Sequence, residues 1–263
     1  MEESSIDNCT LPIDNCILTI AGHDPSGGAG ITSDIKTFEA HGLYGLSVCT
    51  AITVQNDVEF NQCIWTDVEF IINQIEILFK RFKISVVKIG LVASWEVLEK
   101  IVICLKNIDK TIKIIVDPII KASAGFDFHS TENQNRLDAI LKECYLITPN
   151  YNEIQQLYPK LNIEDTITHI SSLTNMYLKG GHRIDKKGVD ELYYNKLIQV
   201  NILPLATSIS EKHGSGCVLS SALASAIALE NNLEDACKSA KYYTEAFLNS
   251  NTSLLGTHNY CKN

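Results

Sequence analysis

Apolar residues along this chain recur with two alternating periods. Short β-branched runs, of the kind buried on both faces of a sheet, are followed by longer stretches in which apolar positions return every three to four residues. Residues 17–21 predict a strand. A Gly-rich turn follows, and then Ile31, Ile35 and Phe38 form an apolar stripe that predicts a helix. Residues 46–54 predict the next strand. Ile71, Ile72, Ile75, Leu78, Phe79 and Phe82 share one helical face and lead into a strand over 85–89. Val97, Leu98, Ile101, Val102 and Leu105 mark a further helix before a strand over 112–116. A weaker helix over 137–141, a strand over 145–148, a short helix around Glu153 and a strand over 176–179 continue the alternation. Residues 190–202 break it, because two short runs flank Asn195-Lys196 and predict an antiparallel hairpin. Two helices close the chain, one opening at Gly216 and one over 234–249.

Alternation of strand and helix over most of the chain implies an α/β fold. The expected architecture is a three-layer αβα sandwich with a mainly parallel, doubly wound sheet and the hairpin on an edge. No repeat or Pro/Gly linker divides the sequence, so residues 1–263 read as one domain, with 1–14 expected as a flexible N-terminal extension. Composition narrows the class. The chain has 45% apolar and 20% charged residues, as globular enzymes do, and a formal charge of −9 with no basic patch, which disfavours nucleic acid as a partner. No apolar run approaches membrane-helix length, and the first residues are acidic and polar rather than signal-like, so no membrane partner and a cytoplasmic location are expected. Nine cysteines, the closest pair being Cys9 and Cys16, suggest reduced thiols rather than a disulfide framework or a zinc knuckle.

In doubly wound sheets ligands bind beyond the carboxyl ends of the strands. Those ends carry Gly22 to Gly30, Gln55-Asn56, Gly90, Asp117-Pro118, Thr148-Pro149-Asn150 with Glu153 one turn on, and Lys179-Gly180-Gly181-His182. His213-Gly214-Ser215-Gly216-Cys217 opens a helix. Each segment alone is ordinary turn chemistry. Jointly they bring carboxylates, an amide, a lysine and glycines to one rim, as a binding site would. The turn at Gly28-Ala29-Gly30 lacks the third glycine of a dinucleotide fingerprint, and no Gly-Lys-Ser/Thr is present, so a dehydrogenase and a P-loop nucleotidase are both disfavoured. Gly214 and Gly216 precede a long Ala-rich helix whose first amides would face an anion; Ser215 capping that helix is the alternative.

Ile20-Ala-Gly-His-Asp-Pro-Ser-Gly-Gly-Ala-Gly30 with Asp34, Thr53-Val-Gln-Asn56, Lys88-Ile-Gly90, Asp117-Pro118, Thr148-Pro-Asn-Tyr-Asn-Glu153, Lys179-Gly-Gly-His182 and His213-Gly-Ser-Gly-Cys217 occur in the order and about the spacing of one family. The chain resembles the hydroxymethylpyrimidine/phosphomethylpyrimidine kinases, within the ribokinase-like enzymes. The resemblance implies ATP-dependent phosphorylation of 4-amino-5-hydroxymethyl-2-methylpyrimidine, and then of its monophosphate, in thiamine biosynthesis or salvage. It implies that Gly22, Asp34, Thr53, Gln55, Leu91 and Ile119 line the pyrimidine pocket and that Asp117 and Glu153 manage Mg²⁺, partly through water. Asp117, Asn150, Lys179 and Gly181 would face ATP, and Gly214, Ser215, Gly216 and Cys217 would form the anion hole, with Cys217 and Lys179 catalytic. It also implies a homodimer and leaves room for a monovalent cation.

At Cys217 many relatives that phosphorylate only an alcohol carry aspartate. A thiol at a helix N-terminus is expected to have a lowered pKa and to help with the acceptor's proton, without the fixed charge that would repel a phosphorylated acceptor. Two positions depart from the family pattern. The lysine of an Ala-Lys-Ser-Gly element is displaced to Lys121, and His23 stands where a small hydroxyl residue is expected, reading as a solvated loop histidine. A vitamin B6 kinase is the nearest rival, since its substrates carry a similar ring-borne hydroxymethyl group. A non-catalytic metabolite-binding homologue is the rival of another class, disfavoured because no phosphate-facing residue is missing.

Overall fold

The computed structural model describes residues 15–119, 134–181, 183, 186–195, 198–206 and 208–259. The expected N-terminal extension, Lys121 with its loop, and His182 lie outside them. Strand β1 (Cys16–His23) leads into α1 (Gly30–Ala40), then β2 (Tyr44–Gln55), β3 (Phe60–Trp65), α2 (Val68–Phe79), β4 (Ile84–Ile89), α3 (Trp95–Ile108) and β5 (Lys113–Val116). There follow α4 (Gln134–Glu143), β6 (Leu146–Ile147), α5 (Tyr151–Leu157), α6 (Ile163–Leu173), β7 (Asn175–Leu178), β8 (Asp190–Tyr194), β9 (Ile198–Ile202), α7 (Ser215–Ala228) and α8 (Leu233–Leu248).

The strands form one sheet in the order β3-β2-β1-β4-β5-β6-β7-β8-β9. Neighbours from β2 to β7 run parallel, and antiparallel pairs close both ends, β2 with β3 on one side and β7-β8-β9 on the other. The period-2 alternation divides the strands between two cores. Leu18, Ile20, Val87, Ile89 and Ile114 pack under α2, α3, α4, α5 and α6, while Ile17, Val86, Ile115 and Tyr177 pack under α1, α7 and α8. The three-layer αβα sandwich expected from the alternation is therefore the fold, and the hairpin expected at 190–202 is β8–β9.

Two elements depart from expectation. The second strand does not end at Val54 but turns back on itself, because the Asn56 side chain accepts from the Val58 and Glu59 amides and folds the chain into the β3 return. Helix α6 was not expected, although Ile163, Ile167 and Ile170 lie at helical spacing behind an Asn162 cap that accepts from Asp165 N. The chain order reverses on either side of β1, with β2 beside it in one direction and β4 in the other. At such a switch point the connections leave in opposite directions and open a crevice at the carboxyl ends.

Candidate active site

A cavity of about 1020 Å³ occupies that crevice. Strand order arranges its walls. At the β1–β2–β4 end stand Gly22, Thr53, Gln55, Phe60, Leu91 and Ile119; in the middle stand Asp117, Asn150, Glu153, Lys179 and the 214–217 turn; at the β8 end stand Lys187, Pro204, Leu205 and Ile209. One end is largely apolar, the middle is charged, and the far end mixes apolar residues with the Asp190–Lys241–Glu245 charge cluster. The size lies at the upper end of ligand cavities, as two ligands meeting in the middle would require.

The residues expected at the pyrimidine are placed unequally. Gly22, Thr53, Gln55, Leu91 and Ile119 line the cavity. A Cβ on Gly22 would lie 2.9 Å from Leu91 Cδ2, so a side chain there would have to displace Leu91. The Thr53 hydroxyl donates to His23 O at 2.8 Å, joining β2 to the end of β1. Asp34 is not at the cavity wall. It is fully buried behind it, where Lys88 Nζ donates to both carboxylate oxygens (3.0 and 2.8 Å) and Thr19 and Ser221 supply further hydrogen bonds. In place of a position on the wall, Asp34 holds a buried ion pair with Lys88, which borders the cavity. His23 is half-buried at the end of β1 rather than in a solvated loop.

In the middle of the cavity Lys179 Nζ lies 2.8 Å from Asp117 Oδ1 and 3.7 Å from Glu153 Oε2. Burial disfavours the ammonium, but Asp117 and then Glu153 outweigh it, so Lys179 stays charged. Glu153 is pushed up to about 7, first by burial and partly against the pull of Lys179, with Asp117 adding to the rise. Glu153 and Asn150 also form a capping box, in which Asn150 Oδ1 accepts from the Asn152 and Glu153 amides and Glu153 Oε2 accepts from Asn150 N. The Asn150 amide nitrogen is therefore the part of that side chain left for a ligand.

Helices α1, α5 and α7 all begin at the cavity, and two of the three lack a side-chain cap. Helices α2, α3, α5, α6 and α8 begin at side-chain caps, Asp67, Ser94, Asn150, Asn162 and Asn232. Helices α1 and α7 have none, and the residues at both N-termini line the cavity. The N-cap of α7 is Gly214, at φ 75°, so Ser215 is the first helical residue and not the cap. The first amides of α7 are left without an intrahelical or side-chain partner, which is the arrangement that receives an anion.

Cys217 sits in that first turn, but its expected lowered pKa is overturned. Burial pushes the thiol up to about 11; Lys88 and the Gly30 amide pull it down, while Asp34 and Asp117 push it further up. At neutral pH the site holds an uncharged thiol rather than a thiolate.

Among the described residues no cluster of three or more His, Cys, Asp or Glu side chains could hold a metal ion. Asp117 Oδ1 accepts from Lys179 and Thr148 and its Oδ2 accepts from Ser220, which leaves few lone pairs for direct ligation. The donors are nonetheless all oxygen, and this sparse set fits a cation that keeps most of its waters.

The family model described as phosphomethylpyrimidine kinase matches residues 24–261. A hydroxymethylpyrimidine/phosphomethylpyrimidine kinase of Aquifex aeolicus is 33% identical over 89% of this chain and 94% of its own length. The crystal structure of a phosphomethylpyrimidine kinase from Clostridium difficile 630 superposes with a TM-score of 0.71 at 34% identity, covering 88% of this chain and 97% of that one. An ADP complex of Bacillus subtilis pyridoxal kinase gives a TM-score of 0.76 at 25% identity, covering 90% and 92%.

Proposed function

Because the chain belongs to the phosphomethylpyrimidine kinase family, we propose that it transfers the γ-phosphoryl group of ATP to the hydroxymethyl group of 4-amino-5-hydroxymethyl-2-methylpyrimidine and then to the phosphate of the product, giving the diphosphate. The observation that carries this reading is the uncapped, glycine-built α7 turn placed between an apolar pocket and a buried lysine. Phosphoryl transfer through a loose transition state asks the protein mainly to align two reactants and to neutralise charge. In this reading Gly22, Thr53, Gln55, Leu91 and Ile119 hold the ring, Lys179 and the Asn150 amide meet the phosphates, and the amides of 214–217 receive the transferred group. Leu205 and Ala206, whose amides donate to Glu245 Oε2 at 2.9 and 2.7 Å, shape the nucleotide end. A magnesium ion would be held mainly by phosphate oxygens and water, with Glu153 and Asp117 nearby, and would supply charge neutralisation.

An uncharged Cys217 suits the two-step reading. A carboxylate in that place would confront the anionic acceptor of the second step, whereas a neutral thiol does not repel it. Cys217→Asp is therefore expected to impair the second phosphorylation more than the first; an unimpaired second step overturns this role.

Mass spectrometry of products from hydroxymethylpyrimidine and Mg-ATP tests the function directly. Both mono- and diphosphate are expected, and formation of neither sinks the assignment. The likeness to a pyridoxal kinase supports vitamin B6 substrates as the second reading, and kcat/KM on pyridoxal against hydroxymethylpyrimidine separates the two. The same proposal includes one domain built on the single sheet, a homodimer, which sedimentation velocity would test, and a cytoplasmic location. Among the described residues no helix is long and apolar enough to cross a membrane.

A further inference from the structure

We propose that Asp24 and His213 form a positioning clamp that fixes the anion-binding turn of α7 against the glycine turn after β1, with residues 251–255 bracing it from outside. The proposal rests on the phosphoryl-transfer reading for its kinetic consequences. Its structural basis stands apart from that reading.

Asp24 is almost completely buried, and its carboxylate gathers four donors. Oδ1 accepts from Ser26 N at 2.8 Å; Oδ2 accepts from Ser26 Oγ and Ala29 N at 2.9 Å each and lies 2.8 Å from His213 Nε2. One side chain thus shapes the first turn internally and reaches across the cavity rim to the residue preceding Gly214. Burial raises the Asp24 pKa, but the bonds from His213, Ser26 and Ala29 outweigh it, and the carboxylate is held below its ordinary range.

The two turns meet at backbone level. A Cβ on Gly214 would run into the Gly28 carbonyl, and a Cβ on Gly28 would lie 2.6 Å from His213 Cδ2 and 2.7 Å from Leu255 Cδ2. On the outer side, His213 N donates to Leu254 O at 2.9 Å, and Lys212 Nζ donates to Asn251 O and Ser253 O at 2.6 Å each. His213 is consequently fixed from two directions, by its ring and by its amide.

The turn needs such a brace. Gly214 and Gly216 flank Ser215, no side chain caps the helix, and glycine backbones left alone sample many conformations. Donors stabilise a transition state only when they already point at the developing charge, and misplacement by about 1 Å can cost about 10²-fold in rate. Asp24 and His213 act through the turn and are positioning residues. The sequence displays both of them in its two glycine motifs, yet assigns neither a role in binding or catalysis.

The test uses the full-length protein carrying His213→Ala or His213→Gln, since glutamine can place a donor nitrogen where Nε2 stands. For His213→Ala, kcat is expected to fall about 10²-fold with KM for Mg-ATP unchanged. Affinity for MgADP with aluminium fluoride should fall by the same factor while affinity for MgADP alone is retained. Hydrogen exchange at the amides of 214–217 should accelerate, and His213→Gln should restore all three readouts. Unaltered exchange in His213→Ala overturns the clamp even if the protein proves not to be a kinase. Equal losses of MgADP and MgADP–aluminium fluoride affinity would reduce the pair to general scaffolding and overturn it too. Failure of glutamine to rescue, with one limb missing from its pH–rate profile, would make the imidazole itself catalytic and likewise reject the proposal. Wild-type protein that forms no phosphorylated product, with exchange still responding, would break the kinase reading and leave the clamp standing.

Discussion

Two buried lysine–carboxylate pairs lie beneath the same helix and differ in how completely they are enclosed. In Lys88–Asp34 both side chains are 0% exposed, and the carboxylate accepts four hydrogen bonds, two from Lys88 and one each from Thr19 and Ser221. In Lys179–Asp117 the lysine is 12% exposed at the cavity, the carboxylate accepts three, and Glu153 stands at 3.7 Å as a looser second partner. Successive serines of α7 bind one pair each, Ser220 to Asp117 and Ser221 to Asp34. The same ion pair can therefore serve opposite ends. Where the carboxylate's acceptor sites are filled, the pair orients the helix. Where the lysine reaches open space, it keeps donors for a ligand.

Removal of each lysine is expected to affect the two pairs in opposite ways. Lys88→Met leaves Asp34 buried without its counter-ion, which typically costs about 3–5 kcal/mol and should appear as a large fall in Tm. Asp34→Asn added to it should recover much of the loss, because the uncompensated charge is then gone. Lys179→Met should do the reverse, lowering kcat by about 10²- to 10³-fold with a much smaller change in Tm. If both variants lost stability alike, the two pairs would be equivalent and the comparison false.

Cys217 lies within the field of both pairs and sharpens the contrast by titration. With its pKa at about 11, its alkylation by iodoacetamide, followed on the Cys217 peptide by mass spectrometry, should climb with pH through neutrality and level off only near that value. The sign is that of a buried acid, since burial disfavours the thiolate and reactivity is lost below the raised pKa. A plateau below pH 8 would mean that Lys88 and the α7 amides dominate over burial.

The parallel core was legible because β-branched runs buried on both faces leave a period that helices do not share. The rim was legible because the strand ends carry Asp117, Asn150, Lys179 and the glycines in fixed order. What escaped depended on tertiary contact. Asp34 stands one turn into α1, and only the approach of Lys88 from β4 and Ser221 from α7 removes it from the cavity wall. For Cys217 the helix N-terminus was visible in the sequence and its burial was not, so the expected sign of the pKa shift was reversed. The β2–β3 return was hidden because a side-chain turn at Asn56, without glycine, replaces the usual hairpin signal. Helix α6 is a different case, since its stripe and cap were present in the sequence.

The smallest expected effects come from the two serines, and they test whether enclosure alone sets the difference. Ser221→Ala removes a 2.7 Å donor from the closed pair. No water can reach Asp34 to replace it, and a hydrogen bond to a charged group is worth about 1.5–3 kcal/mol, so a clear fall in Tm is expected with KM unchanged. Ser220→Ala removes a 3.0 Å donor from the open pair. That hydroxyl also lies 3.1 Å from Cys217 O, and Asp117 keeps Lys179 and Thr148. Its loss should cost less stability than that of Ser221, about 1 kcal/mol. The change should appear instead as a modest decrease in kcat, because a less restrained Asp117 holds Lys179 less firmly. A Ser220→Ala variant as destabilised as Ser221→Ala would show that the carboxylate of the open pair is as dependent on each donor as that of the closed one. Exposure of Lys179 would then not be what distinguishes them.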